Sequence, residues 1–202
     1  MNFKNIQDYF EEKVLIFGNN AKGMDWKDEK SQHLRFEIIA NYIDFNENTT
    51  ILDVGCGNGE FFNYTKVQKK NVTYNGIDIS NIMVDITNKR FGKNTAEIST
   101  VQDINKHKKY DYIISSGTFN ACLDIKKNIW EVLFFESLNK MFQQTKKRVV
   151  VNFMSEIVDY KYKRLYYPKI SKLSRYVCEN LTRNFIIDHS YDLYEATIII
   201  DK

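Results

Sequence analysis

The chain has 202 residues, 43% of them hydrophobic, which is enough to bury one core in one domain and leaves no room for a separate second one. A formal charge of +3 among 29 basic and 26 acidic side chains is far from the density of a protein built to hold nucleic acid. Three cysteines without CxxC spacing (Cys56, Cys122 and Cys178) argue against a disulfide framework or a zinc site and fit a reducing compartment.

In chain order, Met1 to Glu12 carries acids and no apolar core segment. No later run approaches the roughly 18 apolar residues needed to span a bilayer, so the expectation is a cytoplasmic protein without a membrane partner. Residues 1–48 are expected to form a helical cap. Within it, Gln32, Leu34, Phe36, Ile38, Ile39 and Ile43 space as one helix, ended near the turn-prone Asn46-Glu47-Asn48.

The run from Ile51 to Phe62 then reads as a buried strand, a glycine turn and the start of a helix that continues to Lys69. Gly55, Gly57 and Gly59 allow positive φ and close approach to a nucleotide-like ligand, and the new helix is expected to aim free N–H groups and its positive end at that ligand. Side chains in place of these glycines are expected to block the ligand. The spacing is GxGxG, with Glu60 where the dinucleotide fingerprint demands a third glycine, so NAD is disfavoured. Val72 to Asp78 reads as a second strand ending in an acid able to bond both ribose hydroxyls. A helix over Ile82 to Phe91, a short strand from Ile98 and then Asp103, and an apolar strand from Tyr110, broken at Gly117, follow. Next come a helix from Lys126 to Gln144, a strand from Lys147 to Phe153, a tyrosine-rich stretch and a helix from Lys169 to Leu181. Two last strands, Asn184 to His189 and Glu195 to Ile200, are spaced to pair as an antiparallel hairpin.

The glycine loop, the acid ending the second strand and the acid after the third together resemble class I S-adenosylmethionine (SAM)-dependent methyltransferases. The resemblance implies an α/β fold, a doubly wound, mostly parallel seven-stranded sheet with an N-terminal helical lid, and SAM as cofactor with S-adenosylhomocysteine as product. Gln32 and Arg35 are lid candidates for cofactor contact, with the planar fork of Arg35 offered to the methionine carboxylate. Asp53, Gly55, Cys56 and Gly57 belong to the loop, and Asp53 either tethers the loop's amides or meets the ligand. Asp78 and Ile79 close the second strand; Gln102, Asp103 and Ile104 follow the third, and the resemblance gives Asp103 a bond from the adenine amino group. Ser115 and Ser116 end the fourth.

Methyl transfer from a sulfonium removes positive charge, so positioning and desolvation can supply most of the catalysis. An alcohol acceptor wants a base, and His189 is the best available, with Tyr160 and Asn152 as further catalytic candidates. An acceptor that is already anionic needs cationic and hydroxyl donors instead. Asp159 to Pro168 supplies both, so residues 154–168 are expected to be an acceptor-binding insertion. Asn120, Asn152, Tyr160, Arg164, Tyr167 and His189 are the substrate-binding candidates. The three histidines show no metal-ligand spacing, so no metal is expected. Pro168 is the only proline, so the Asp/Asn-Pro-Pro-aromatic motif of amino-methylating DNA enzymes is absent.

The stretches Val151 to Ser155, Asp159-Tyr160, Tyr166-Tyr167-Pro168 and His189 to Glu195 resemble small bacterial methyltransferases of capsule and lipopolysaccharide biosynthesis. That resemblance implies a surface-glycan precursor, including a phosphoramidate oxygen, although Tyr166-Tyr167 stands directly before Pro168 where a further acidic or small residue is expected. An RNA methyltransferase and a non-catalytic SAM-binding partner subunit are the competing readings. The first predicts salt-sensitive RNA binding through the tyrosine–lysine stretch.

Overall fold

Along β1 (Thr50–Val54) successive side chains leave on opposite faces, so Ile51 enters one core while Leu52 and Val54 enter the other. The same alternation sends Tyr112 and Ile114 one way and Ile113 the other in β4 (Tyr110–Ser116), and splits Val150 from Val149 and Val151 in β5 (Thr145–Met154). Strands covered on both faces need apolar residues at every position, which is why these segments read as continuous apolar runs. The computed structural model describes residues 3–46, 48–105 and 107–202.

The other elements are α1 (Lys4–Phe17), α2 (Glu29–Asn41), α3 (Glu60–Val67), β2 (Thr73–Asp78), α4 (Asn81–Phe91), β3 (Ala96–Ile98), α5 (Lys127–Gln144), α6 (Ile170–Asn180), β6 (Phe185–Asp188) and β7 (Glu195–Asp201). They form one seven-stranded sheet in the order β3-β2-β1-β4-β5-β7-β6, parallel except for β7. The last two strands do pair as an antiparallel hairpin, with β7 inserted beside β5. Phe36 and Ile39 of α2 and Phe61 of α3 pack on one face; Phe134 and Leu138 of α5 and Leu173 and Val177 of α6 pack on the other. Each fully buried apolar side chain of this kind contributes roughly 1.5–3 kcal/mol. Side-chain caps start two helices: Asp28 accepts from the Ser31 amide at 2.7 Å and Ser80 from the Met83 amide at 3.3 Å.

Three expectations change. Met1 to Glu12 was expected to lack a core segment, yet within the described part Ile6 and Phe10, with Val14, fall four residues apart on one face of α1. Ile6 joins the main core and Val14 packs on Met24 and Met83. Ile43 is buried but lies past the end of α2. The third strand is Ala96–Ile98 and gives way to a single 3-10 turn at Val101–Asp103, instead of running from Ile98. At the Asn46-Glu47-Asn48 turn, Glu47 lies outside the described residues.

The strand order reverses at β1, between β2 and β4, and this is where ligands bind in open α/β sheets. A cavity of about 900 Å³ opens there, at the carboxyl ends of the parallel strands.

Candidate active site

The glycine loop leaves β1 with Gly55, Gly57 and Gly59 at φ 71°, 53° and 75°, a region that other residues enter only with strain. Their neighbours differ from expectation. A Cβ on Gly55 would stand 2.2 Å from the Thr118 hydroxyl, and one on Gly59 would stand 2.9 Å from both Phe91 and Thr87. These two positions exclude side chains because protein is already there. Gly57 meets only the Met24 sulfur, at 3.1 Å. The loop's amides are also occupied: Gly55 and Cys56 donate to the Ile77 carbonyl, Gly57 to Asp78 and Gly59 to Cys56. These bonds brace the loop itself and leave the expectation for the N–H groups at the start of α3 untouched.

Asp78 ends β2 against this loop. Its Oδ2 accepts from the Gly57 amide and its Oδ1 from the Ser80 amide, both at 2.9 Å, which leaves lone pairs on each oxygen at the cavity wall. Burial pushes its carboxyl above the ordinary range, and the backbone N–H groups of Ser80, Gly57 and Ile79 oppose that shift. Asp53 takes neither expected role exclusively. It lines the cavity but accepts the Tyr74 hydroxyl at 2.7 Å instead of tethering loop amides. Burial pushes it up to about 7, the Tyr74 hydroxyl pulling down and the Asp78 charge adding to the rise.

The lid is α2 together with α1. Gln32 and Arg35 are buried on the cavity wall, as is Met24 of the preceding turn, with Trp26 half-buried beside them. The fork of Arg35 is not open to a ligand carboxylate, however. Its Nε and Nη2 reach the two carboxylate oxygens of Glu195 at 2.5 and 2.8 Å, its Nη1 meets the Ser31 carbonyl, and its face lies on Trp26. This buried pair ties the lid to the start of β7. Phe3, at the N-cap of α1, and Ile6 and Phe10 within it add an apolar roof.

The rest of the wall includes side chains from three segments distant in sequence. Asn120 lies after β4, and its Oδ1 accepts from the Met154 amide. Arg164 comes from the stretch between β5 and α6, with Tyr162 nearby; His189, Tyr191 and Glu195 come from the β6–β7 turn and the strand it leads into. His189 is exposed, sits just past β6 and makes no hydrogen bond among the described residues. Tyr191, which sequence reasoning missed, has its hydroxyl held by Asn152 at 3.2 Å and Thr197 at 2.8 Å.

A family model for a methyltransferase domain matches residues 45–193. The chain belongs to the methyltransferase-domain family. It is a SAM-dependent methyltransferase. A Mycobacterium tuberculosis protein named as a methyltransferase, Rv1506c, is 28% identical over 156 residues, covering 76% of this chain and 93% of that one. A malonyl-[acyl-carrier protein] O-methyltransferase of Priestia megaterium is 22% identical over 136 residues, covering 64% of this chain and 46% of that one. Among solved structures, magnesium protoporphyrin IX methyltransferase of Synechocystis PCC 6803, with S-adenosylhomocysteine bound, has a TM-score of 0.68 at 15% identity over the full length of both chains. That likeness is one of fold.

The methyltransferase cavity fits SAM in two observed respects. The Asp78 carboxylate faces it with spare acceptor capacity, and the buried Ser116 hydroxyl on its wall has no partner among the described residues. Gly55, Cys56, Gly57, Ile79 and Gln102 share that wall. Six sequence candidates do not. Asp103 is exposed, beside a separate shallow cleft, and binds the Thr100 hydroxyl at 2.6 Å, which corrects its adenine role. Ile104 turns into the main core. Ser115, one residue from Ser116 on a pleated strand, points to the other side and bonds the Val54 carbonyl. Asn152 is fully buried in the sheet behind Tyr191. Tyr160 points outward, 58% exposed, and the Tyr167 hydroxyl is engaged by the Tyr162 amide. Among the described residues no cluster of three or more histidines, cysteines or acids is placed to hold a metal, and no helix is long and apolar enough to cross a membrane.

Proposed function

We propose that this methyltransferase moves the SAM methyl group to an oxygen of a small anionic acceptor, a metabolite or a capsular-type surface-glycan precursor carrying a phosphate or phosphoramidate. One observation carries the reading. Arg164 stands on the cavity wall, and among the described residues Asp25 is the only hydrogen-bond partner of its guanidinium. Its remaining N–H groups suit an anionic oxygen. Lys27, Tyr162 and Tyr191 lie on the same wall. The O-methyltransferase name of the Priestia megaterium relative supports oxygen as the methylated atom.

The whole chain acts as one catalytic domain in this reading, residues 1–48 forming the cap and 154–168 the acceptor arm, in the cytoplasm. Asp78, Gly57 and Ser116 hold the cofactor, which when bound supplies an electrophilic methyl group. Trp26 and the Arg35–Glu195 pair keep water from the reacting atoms. An ionised acceptor arrives ready to attack and is oriented by Arg164; an alcohol would give its proton to His189 at the cavity mouth.

The test is a turnover screen with SAM against nucleotide sugars, phosphorylated glycan precursors and RNA. Turnover on a phosphorylated small molecule is expected. Turnover on RNA alone, or none on anything alongside stoichiometric association with another methyltransferase, would overturn the proposal.

A further inference from the structure

Asp25 bonds both the roof and the acceptor arm. It follows a 3-10 turn, Lys22–Met24, in the left-handed region at φ 60°, which asparagine and aspartate tolerate better than most residues. Its Oδ1 takes Lys13 Nζ at 2.9 Å; its Oδ2 takes Arg164 Nη1 at 2.7 Å and the Tyr9 hydroxyl at 2.9 Å. Lys13 and Tyr9 belong to α1, whose face over the cavity is apolar. Arg164 belongs to the arm between β5 and α6, and Asp25 itself lines the cavity.

The carboxylate is only 16% exposed, so its three charge-assisted bonds are poorly screened. Arg164 is held at both ends. Its carbonyl accepts from the Cys122 and Leu123 amides at 3.0 and 2.9 Å, its guanidinium reaches Asp25, and it stands near both the Tyr9 and Tyr162 rings. Burial, then the bond to Asp25, raises the Tyr9 phenol, and the bond to Asp25 raises the Lys13 ammonium, so both stay protonated donors around neutral pH.

We propose that Asp25 is a positioning residue that orders the acceptor arm whenever the roof closes on the cofactor. It fixes the Arg164 guanidinium at the cavity wall and ties it to α1 through the same carboxylate. Enclosing the cofactor under α1 therefore presents Arg164 to the acceptor, and an arm without Asp25 loses its aim while the glycine loop stays intact. The proposal rests on the reading of Arg164 as the acceptor anchor.

Hydrogen exchange of the full chain, with and without S-adenosylhomocysteine as probe, tests it. In the wild type the probe is expected to protect residues 55–60, 4–17 and 157–167 together. Asp25→Asn keeps the left-handed turn and removes the charge. It is expected to keep protection at 55–60 while exchange at 157–167 in the bound state rises roughly fivefold. Arg164→Gln, which leaves Asp25 and α1 in place, should free 157–167 equally and leave 4–17 protected, a separation that a purely structural role for Asp25 would not give. Unchanged protection at 157–167 in Asp25→Asn, or no protection there in the wild type, would overturn the coupling while 55–60 still reports a bound cofactor. No protection at 55–60 would overturn the cofactor site and the coupling with it.

Discussion

At the glycine-loop end of the cavity the wall is mostly backbone, set by one short turn whose amides bond β2 and by one carboxylate at a strand end. At the acceptor end it is side chains brought from residues 25, 120, 164 and 189–195, held by ion pairs across more than a hundred positions of sequence. The first wall follows from local rules. The second exists only once the fold has formed, so the two should fail differently when altered.

The largest effect should come where the second kind of construction is most buried. Arg35→Ala leaves Glu195 charged with no partner in a site only 4% exposed, and should cost roughly 3–5 kcal/mol of stability in denaturant unfolding. A loss below ~1 kcal/mol would mean the pair does not hold the lid to the sheet. Gly55→Ala probes the first kind: strain at φ 71° and a clash with Thr118 should cost roughly 2–4 kcal/mol in the same assay, more than Gly57→Ala, where only the flexible Met24 sulfur is near. Equal costs at both positions would show that the protein contact at Gly55 does not matter.

Much of the first wall was legible in sequence because it depends on short-range rules. Three glycines at fixed spacing and an acid ending an apolar run locate Gly57 and Asp78 before any contact is known. The sheet was legible for the same reason, since runs such as Val149 to Val151 have the length and β-branching of buried strands. Sequence could not show that Arg35 is already taken by Glu195, 160 residues away, or that Tyr191 rather than Asn152 reaches the cavity. Which of Ser115 and Ser116 faces the cavity depends on strand register, and a shift of one residue exchanges them. The α1 roof was readable from the four-residue spacing of Ile6, Phe10 and Val14, which the acids between them obscured.

A third prediction separates burial from ligand contact at Asp53. Its carboxyl binds a proton more tightly folded, near pH 7, than unfolded, near the ordinary carboxylate value, so the native state binds more protons across that interval and stability falls as pH rises from about 4 to about 7. Asp53→Asn, neutral throughout, should flatten that part of the urea-unfolding profile; an unchanged slope would mean that another group sets it. The smallest effect on the cofactor is expected at His189. His189→Ala at the exposed mouth should leave SAM affinity within ~0.3 kcal/mol of wild type while lowering turnover on an alcohol acceptor by about tenfold or more. A matched fall in affinity would place His189 at the cofactor.

The most direct test of the account is calorimetric titration of SAM into the wild type and Asp78→Ala. The account predicts binding to the wild type that weakens by about 1–3 kcal/mol when the Asp78 carboxylate is removed. Equal affinity in the two proteins would contradict the placement of the cofactor against β2 and the glycine loop.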